Sequence, residues 1–201
     1  KIENLEKVIG KKVVKMDRKD VESERWIKES KKEDVCLLVY GCPLFATTHI
    51  SIIMDCLKNK VKYCILYSAS VFDAIAESGL QLYKFGKISS MPRWQKNYEP
   101  DSFLEFVEQN NSIKAHSLIL VDISLESEKA FEQLERAGKK RCFNLNQILV
   151  CCNLGTDNSR FYYGNIKNLK KKIKNITSPY CFIIPGEMHF IEKEAIERFE
   201  V

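Results

Sequence analysis

Histidine is scarce: His49, His116 and His189 are the three in 201 residues. No two of the eight cysteines stand in a CxxC pair. That spacing speaks against a zinc ribbon, and the lysine-rich, enzyme-sized chain speaks against a disulfide scaffold. Neither GxGxxG nor GxxxxGK occurs. A nucleotide held by its phosphates in a glycine cradle is therefore disfavoured. No apolar run approaches the length of a membrane span, and no secretory leader is visible. The net charge of +5, from 32 basic and 27 acidic residues, is weak support for any polyanionic partner.

What the chain does contain is ordinary globular material. It is 45% hydrophobic and 29% charged, enough to bury a real core. Short apolar runs alternate with amphipathic stretches. Residues 35–40 (VCLLVY) and 61–67 (VKYCILY) read as buried strands. Between them, 47–58 reads as a helix, with Ile50, Ile53, Met54 and Leu57 on one face and Thr47 or Thr48 as cap. A second helix over 68–78 is stopped by Gly79. This alternation argues for a parallel sheet covered by helices. The Gly- and Pro-bearing stretch 84–100 places a domain boundary near Gly86. Beyond it come a helix over 103–107 capped by Asp101, a strand at 117–123, a helix over 124–137 ending at Gly138, strands at 147–152 and 180–184, and a closing helix at 191–199. In 165–175, Ile166, Leu169 and Ile173 form an apolar helix face, and the lysines opposite read as a solvated surface. Cys36, Cys64, Cys151, Cys152 and Cys181 lie in or beside strand-like runs. They read as buried free thiols of a reducing, cytoplasmic compartment.

Ligands of open α/β sheets gather at the carboxyl ends of strands. Here those ends run into GCPLFATT, SAS, Val121-Asp122, NLGTD and Pro185-Gly186, loops suited to close main-chain approach. No nucleophile and base can be paired from the sequence. His49 is the one candidate base, and each histidine reads more readily as structural. Asp122 reads as a cap on a neighbouring turn. No catalytic residue is singled out, and no metal is expected.

Specific motifs then emerge. GCPLFATTH (41–49) resembles the GDPLxATTH motif of the diphthine synthases, and SGLQLYKFGK (78–87) resembles their TGLQxYxFGK segment. EPDSF (99–103), HSLILVDI (116–123) and PGEMHFIE (185–192) match in order and spacing. The likeness covers nearly the whole chain. It implies an α/β, two-domain tetrapyrrole methylase-like fold, divided here as 1–86 and 87–201, with S-adenosylmethionine in a cleft between the domains. It implies a homodimer that methylates the modified histidine of elongation factor 2, on its amino group and, in the eukaryotic branch, on a carboxylate. S-adenosylhomocysteine would be the product.

The family's cofactor contacts carry over onto Cys42, Phe45, Ser70, Val71, Val121, Leu154 and Tyr180. Some features depart from the pattern. The family's first strand and Gly-rich turn have no counterpart in these residues. Cys42 stands where the family has Asp, which could accept hydrogen bonds or balance a sulfonium better than a neutral thiol does. ARxGS reads CNLGT, and LDIK reads VDIS. Two other readings remain: a partner-binding module with a decayed cofactor site, and a same-fold methyltransferase acting on ribosomal RNA or a tetrapyrrole.

Overall fold

The computed structural model describes every residue except Lys1, Glu24, Lys174 and Asn175. The last two close the lysine-rich stretch, so that part of its helical expectation lies outside the described residues. The chain divides into two compact units, Lys1–Ser68 and Ala69–Val201.

The second unit holds a five-stranded sheet in the order β1-β2-β5-β3-β4. Its strands are β1 (Ser89–Met91), β2 (Ser117–Val121), β3 (Ile148–Cys152), β4 (Arg160–Gly164) and β5 (Tyr180–Ile184). β1 and β2 are parallel; β2–β5, β5–β3 and β3–β4 are antiparallel. This unit's sheet is therefore mixed, whereas the parallel sheet was expected from the alternation over 35–78. Apolar runs report burial and not direction, and β3 and β4 are joined by a short loop that reverses the chain. Period-two alternation divides the side chains between two apolar clusters. Ile119, Val150 and Phe182 point to one face, with Phe131 and Leu134 of α7 (Ser127–Lys140) and Phe103 and Leu104 of α6 (Ser102–Ser112). Ile166 and Leu169 of α8 (Ile166–Lys172) complete that layer, as their spacing indicated. Leu118, Leu149 and Ile183 point to the other face, with Ile75 and Leu80 and with Ile196 of α9 (Phe190–Glu197).

Residues 71–85 belong to this second layer. α5 (Val71–Ala74) runs into a 3-10 turn at Ile75–Ser78, and Phe72, Leu82 and Phe85 pack on the same cluster. The compact units therefore divide at 68/69, upstream of Gly86. Gly79 ends the turn with φ +87°, as its position promised, and a Cβ there would lie 2.3 Å from the Ala195 Cβ. Gly138 does not stop its helix. It lies inside α7, where the absent Cβ makes room for Leu145. Asp101 precedes α6 but makes no side-chain cap; its carboxylate pairs with Lys140 and Arg141 instead. Beyond β4, the amide of Tyr163 donates to the Phe199 carbonyl and that of Val201 donates to the Tyr163 carbonyl, so the chain's last residues line the strand's outer edge.

The first unit holds α1 (Ile2–Ile9), α2 (Arg18–Val21), α3 (Arg25–Glu29) and α4 (Ile50–Lys58). α4 begins later than expected: His49 precedes it without a side-chain cap, and Thr47 Oγ1 accepts from the His49 amide. Residues 35–40 and 61–67 are not strands among the described residues. A strand exists only against a hydrogen-bonding neighbour, and neither run has a ladder partner here. Their side chains are accordingly open, with Tyr40 75% and Leu66 80% exposed. Cys36 and Cys64 are exposed too, which corrects their reading as buried thiols, whereas Cys151, Cys152 and Cys181 are buried as expected.

Gly79→Ala combines a disfavoured left-handed residue with a collision against α9. It should lower stability by about 2–4 kcal/mol, read from the urea midpoint, while Gly10→Ala, with open space around its Cβ, costs less.

Candidate functional site

Strand register brings three of the carried-over positions to one end of the second unit's sheet. Leu120 pairs with Cys181, so Val121 ends β2 level with Tyr180 at the start of β5. Cys152 pairs with Tyr180, and Leu154 follows two residues beyond it. Asn153 and Gly155 flank Leu154 with φ +51° and +74°, turning the chain across the sheet end. Leu154 and Val71 pack against one apolar cluster, Val121 against the other. Tyr180 lies in the latter with its hydroxyl donating to the Leu125 carbonyl at 2.7 Å, and burial raises its pKa. The Val121 and Tyr180 side chains are thus committed to the core. What these positions offer a ligand is main chain and an apolar wall.

Ser70 caps α5. Its hydroxyl accepts from the Phe72 amide at 3.1 Å and donates to Asp73 at 2.7 Å, while the Asp73 carboxylate accepts from the Ser70 amide. That amide, then the hydroxyl, holds the Asp73 pKa down. Asp122 behaves as read: it accepts from the Ser124 amide and hydroxyl, and the amide in particular lowers its pKa. A hollow of about 360 Å3 lies alongside, between residues 123–128 and 176–178. Cys42 and Phe45 lie half-buried in the first unit's loop, where the Phe45 amide donates to the Cys42 carbonyl at 3.3 Å. His49 Nδ1 lies 2.8 Å from the Pro43 carbonyl, a structural bond of that same loop. Among the described residues no cluster of His, Cys, Asp and Glu is placed to hold a metal, and no helix is long and apolar enough to cross a membrane.

The family-specific motifs meet elsewhere. At the opposite end of β2, Glu192 of PGEMHFIE is fully buried. Its Oε1 accepts from the Gln81 amide at 2.9 Å and from His116 Nε2 at 3.0 Å. Its Oε2 accepts from the His189 amide at 2.7 Å and pairs with Lys84. The Gly186 amide donates to His116 Nδ1 at 2.9 Å, so that nitrogen keeps its lone pair and His116 is the neutral Nε2–H tautomer. Burial, above all, pushes the His116 pKa down. Burial also works to raise the Glu192 carboxyl, but the Gln81 amide, Lys84, the His189 amide and His116 outweigh it and hold it at about 2. This junction was not foreseen. The signal was present, because Lys84, His116 and Glu192 each belong to a quoted motif.

No family model matches the chain. Relatives do. The diphthine synthase of Methanococcus vannielii is 33% identical over 208 residues, 98% of this chain and 81% of that protein. The chain belongs to the diphthine synthase family. An Arabidopsis thaliana protein named "Probable diphthine methyl ester synthase" is 32% identical over 99% of this chain and 82% of its own length. A crystal structure of diphthine synthase superposes with a TM-score of 0.86 at 28% identity, covering all of this chain and 80% of that one. The expected tetrapyrrole methylase-like α/β fold is thereby borne out. Diphthine synthases are S-adenosylmethionine-dependent methyltransferases of diphthamide biosynthesis, and this chain is such an enzyme.

Acid should unfold the protein in two stages. Unfolded, His116 takes a proton near pH 6.5; folded, it resists. Stability therefore falls as pH drops through 6.5, and falls again between 4.5 and about 2 as Glu192 is forced to protonate. Urea midpoints across pH 8 to 3 check this, and Glu192→Gln should make the lower stage shallower. At pH 7, Glu192→Ala should cost about 3–5 kcal/mol, because Lys84 loses its partner. The exposed Glu194→Ala should stay within about 0.5 kcal/mol.

Proposed function

We propose that the chain transfers methyl from S-adenosylmethionine to the modified histidine of elongation factor 2, yielding S-adenosylhomocysteine on the path to diphthamide. The acceptors are its amino group and, in keeping with the name of the Arabidopsis relative, a carboxylate. The observation that carries this reading is the alignment of Val121, Tyr180 and Leu154 at one end of the sheet. Family membership and these positions together support a nucleoside site edged by main chain, with Leu154 and Val71 as its apolar wall. Ser70 holds the start of α5 in shape beside Val71. The resemblance adds Cys42 and Phe45 as further proposed cofactor contacts.

The bound sulfonium supplies an activated methyl group. The chain's part is to align the acceptor amine in its neutral form and to keep water away, so proximity carries much of the rate. No single side chain is an indispensable acid or base, and His49→Ala retains measurable activity. We also place the family's domain division near Gly86, with the cofactor between the halves, and propose a homodimer acting in the cytoplasm.

Titration calorimetry with S-adenosylmethionine tests the site. Leu154→Arg should weaken binding tenfold or more, about 1.4 kcal/mol. Cys42→Asp should tighten it severalfold by placing a carboxylate beside the sulfonium. Binding untouched by Leu154→Arg overturns the assignment. A chain that captures elongation factor 2 yet gives no heat with S-adenosylmethionine is a binding module instead.

A further inference from the structure

The hollow of about 360 Å3 beside Asp122 has a partly polar wall. One side is residues 123–128, which lead from β2 into α7; the other is 176–178, which lead into β5. It therefore lies at the sheet end where Val121 and Tyr180 stand, within the second unit.

Three of the four hydroxyls in that wall are engaged. Ser124 Oγ donates to Asp122 at 2.8 Å, Ser178 Oγ donates to the Ile123 carbonyl at 3.1 Å, and Thr177 Oγ1 accepts from Asn153 Nδ2 at 3.3 Å. Ser127 differs. It is 6% exposed, it lines the hollow, and its hydroxyl has no hydrogen-bond partner among the described residues. A buried hydroxyl without a partner is costly, and the hollow is where a partner can be supplied. Ser127 also opens α7, which has no side-chain cap. The first return bond of the helix runs from the Ala130 amide to the Glu126 carbonyl. The amides of Ser127, Glu128 and Lys129 thus have no intrahelical acceptor. Hydroxyl and amides together form a donor set for a carboxylate.

Three carboxylates and two cations stand near these donors. Asp122 takes the Ser124 amide and hydroxyl, and Glu126 pairs with Lys129 at 2.7 Å. Arg93 adds to the Ser124 amide at Asp122, and to Lys129 at Glu126, in holding both carboxyls ionised. Glu128 is exposed and has no ion pair among the described residues, which suits an ammonium group. A ligand that carries both a carboxylate and an amine fits this arrangement. The acceptor side chain of the proposed reaction carries both, and so does the methionyl end of S-adenosylmethionine. Ligand pockets run from about 300 to 1,000 Å3, so this one suits a single side chain better than a whole nucleoside cofactor.

We propose that Ser127 and the first amides of α7 hold the carboxylate of the acceptor side chain in this hollow, and that Glu128 steers its ammonium end. Ser127 is then a substrate-binding residue that touches the acceptor and not the sulfonium, which rests on the sheet end being the methyl-transfer site.

The test compares the 201-residue chain with Ser127→Ala, Ser127→Asn and Ser127→Asp. Calorimetry in the presence of S-adenosylhomocysteine, which needs no turnover, reads binding of elongation factor 2 with and without the unmethylated side chain. The unaltered chain should bind the modified form at least tenfold more tightly. Ser127→Ala should cut that preference severalfold, and Ser127→Asp should erase it by charge repulsion, while the neutral Ser127→Asn keeps more of it. A merely structural defect would weaken both forms alike. Aspartate in the first helical turn favours the helix dipole, so Ser127→Asp should melt no lower than Ser127→Asn. Affinity for S-adenosylmethionine should stay within about twofold in all three variants. The proposal is overturned if the unaltered chain does not prefer the modified form, or if Ser127→Asp and Ser127→Asn prefer it equally. Loss of S-adenosylmethionine affinity in Ser127→Asp gives the hollow to the methionyl end and overturns it too. If Leu154→Arg abolishes cofactor binding while the Ser127 variants keep the preference, the hollow alone is misassigned and the cofactor edge stands.

Discussion

A single buried carboxylate organises the second unit. Glu192 collects the Gln81 amide, His116, Lys84 and the His189 amide on its two oxygens, tying a 3-10 segment, the start of β2 and the start of α9 to one point. Burying a charge is tolerable only when it is paired and saturated with hydrogen bonds. Here Lys84 supplies the countercharge and the neutral His116 a donor. Because the four donors come from three separate stretches of chain, the carboxylate is satisfied only when those stretches meet in one arrangement. The Gly186 amide keeps His116 in the required tautomer, and the space around Gly186 is filled by the Lys114 and Ala115 carbonyls.

This junction explains why the most recognisable motifs lie away from the proposed cofactor edge. SGLQLYKFGK and PGEMHFIE supply its charges, and HSLILVDI its imidazole. HSLILVDI also spans the sheet, starting at the junction with His116 and finishing with Val121 at the end where the cofactor is proposed. One strand therefore connects the part of the molecule that specifies the fold with the part suited to chemistry. At the proposed cofactor end the Val121 and Tyr180 side chains face into the core, so sequence variation such as CNLGT for ARxGS would alter the wall more than the main-chain edge.

Much of the second unit was legible because its elements are long and periodic. The face of α8, the presence of α7 and the runs forming β2, β3 and β5 were all readable from the residue pattern. Strand direction was not legible, since a buried run looks the same read either way in a sheet. β4 was overlooked because RFYYG is short and half-exposed and follows a loop of Gly, Thr, Asp, Asn and Ser. β1 escaped for a similar reason, having three residues in a stretch marked by prolines. Residues 35–40 and 61–67 show the converse: apolar character is local, but a strand belongs to a pair. Of the proposed site, the positions rest on the motif resemblance. The division of Val71 and Leu154 from Val121 and Tyr180 between opposite faces could not be read, because it depends on register.

Residues 199–201 give the sheet a further property. Phe199 and Val201 bond across to Tyr163 along the outside of β4. An uncovered strand edge is a template on which other molecules can add. Residues 199–201 occupy that template, so this segment seals the β4 edge against such addition.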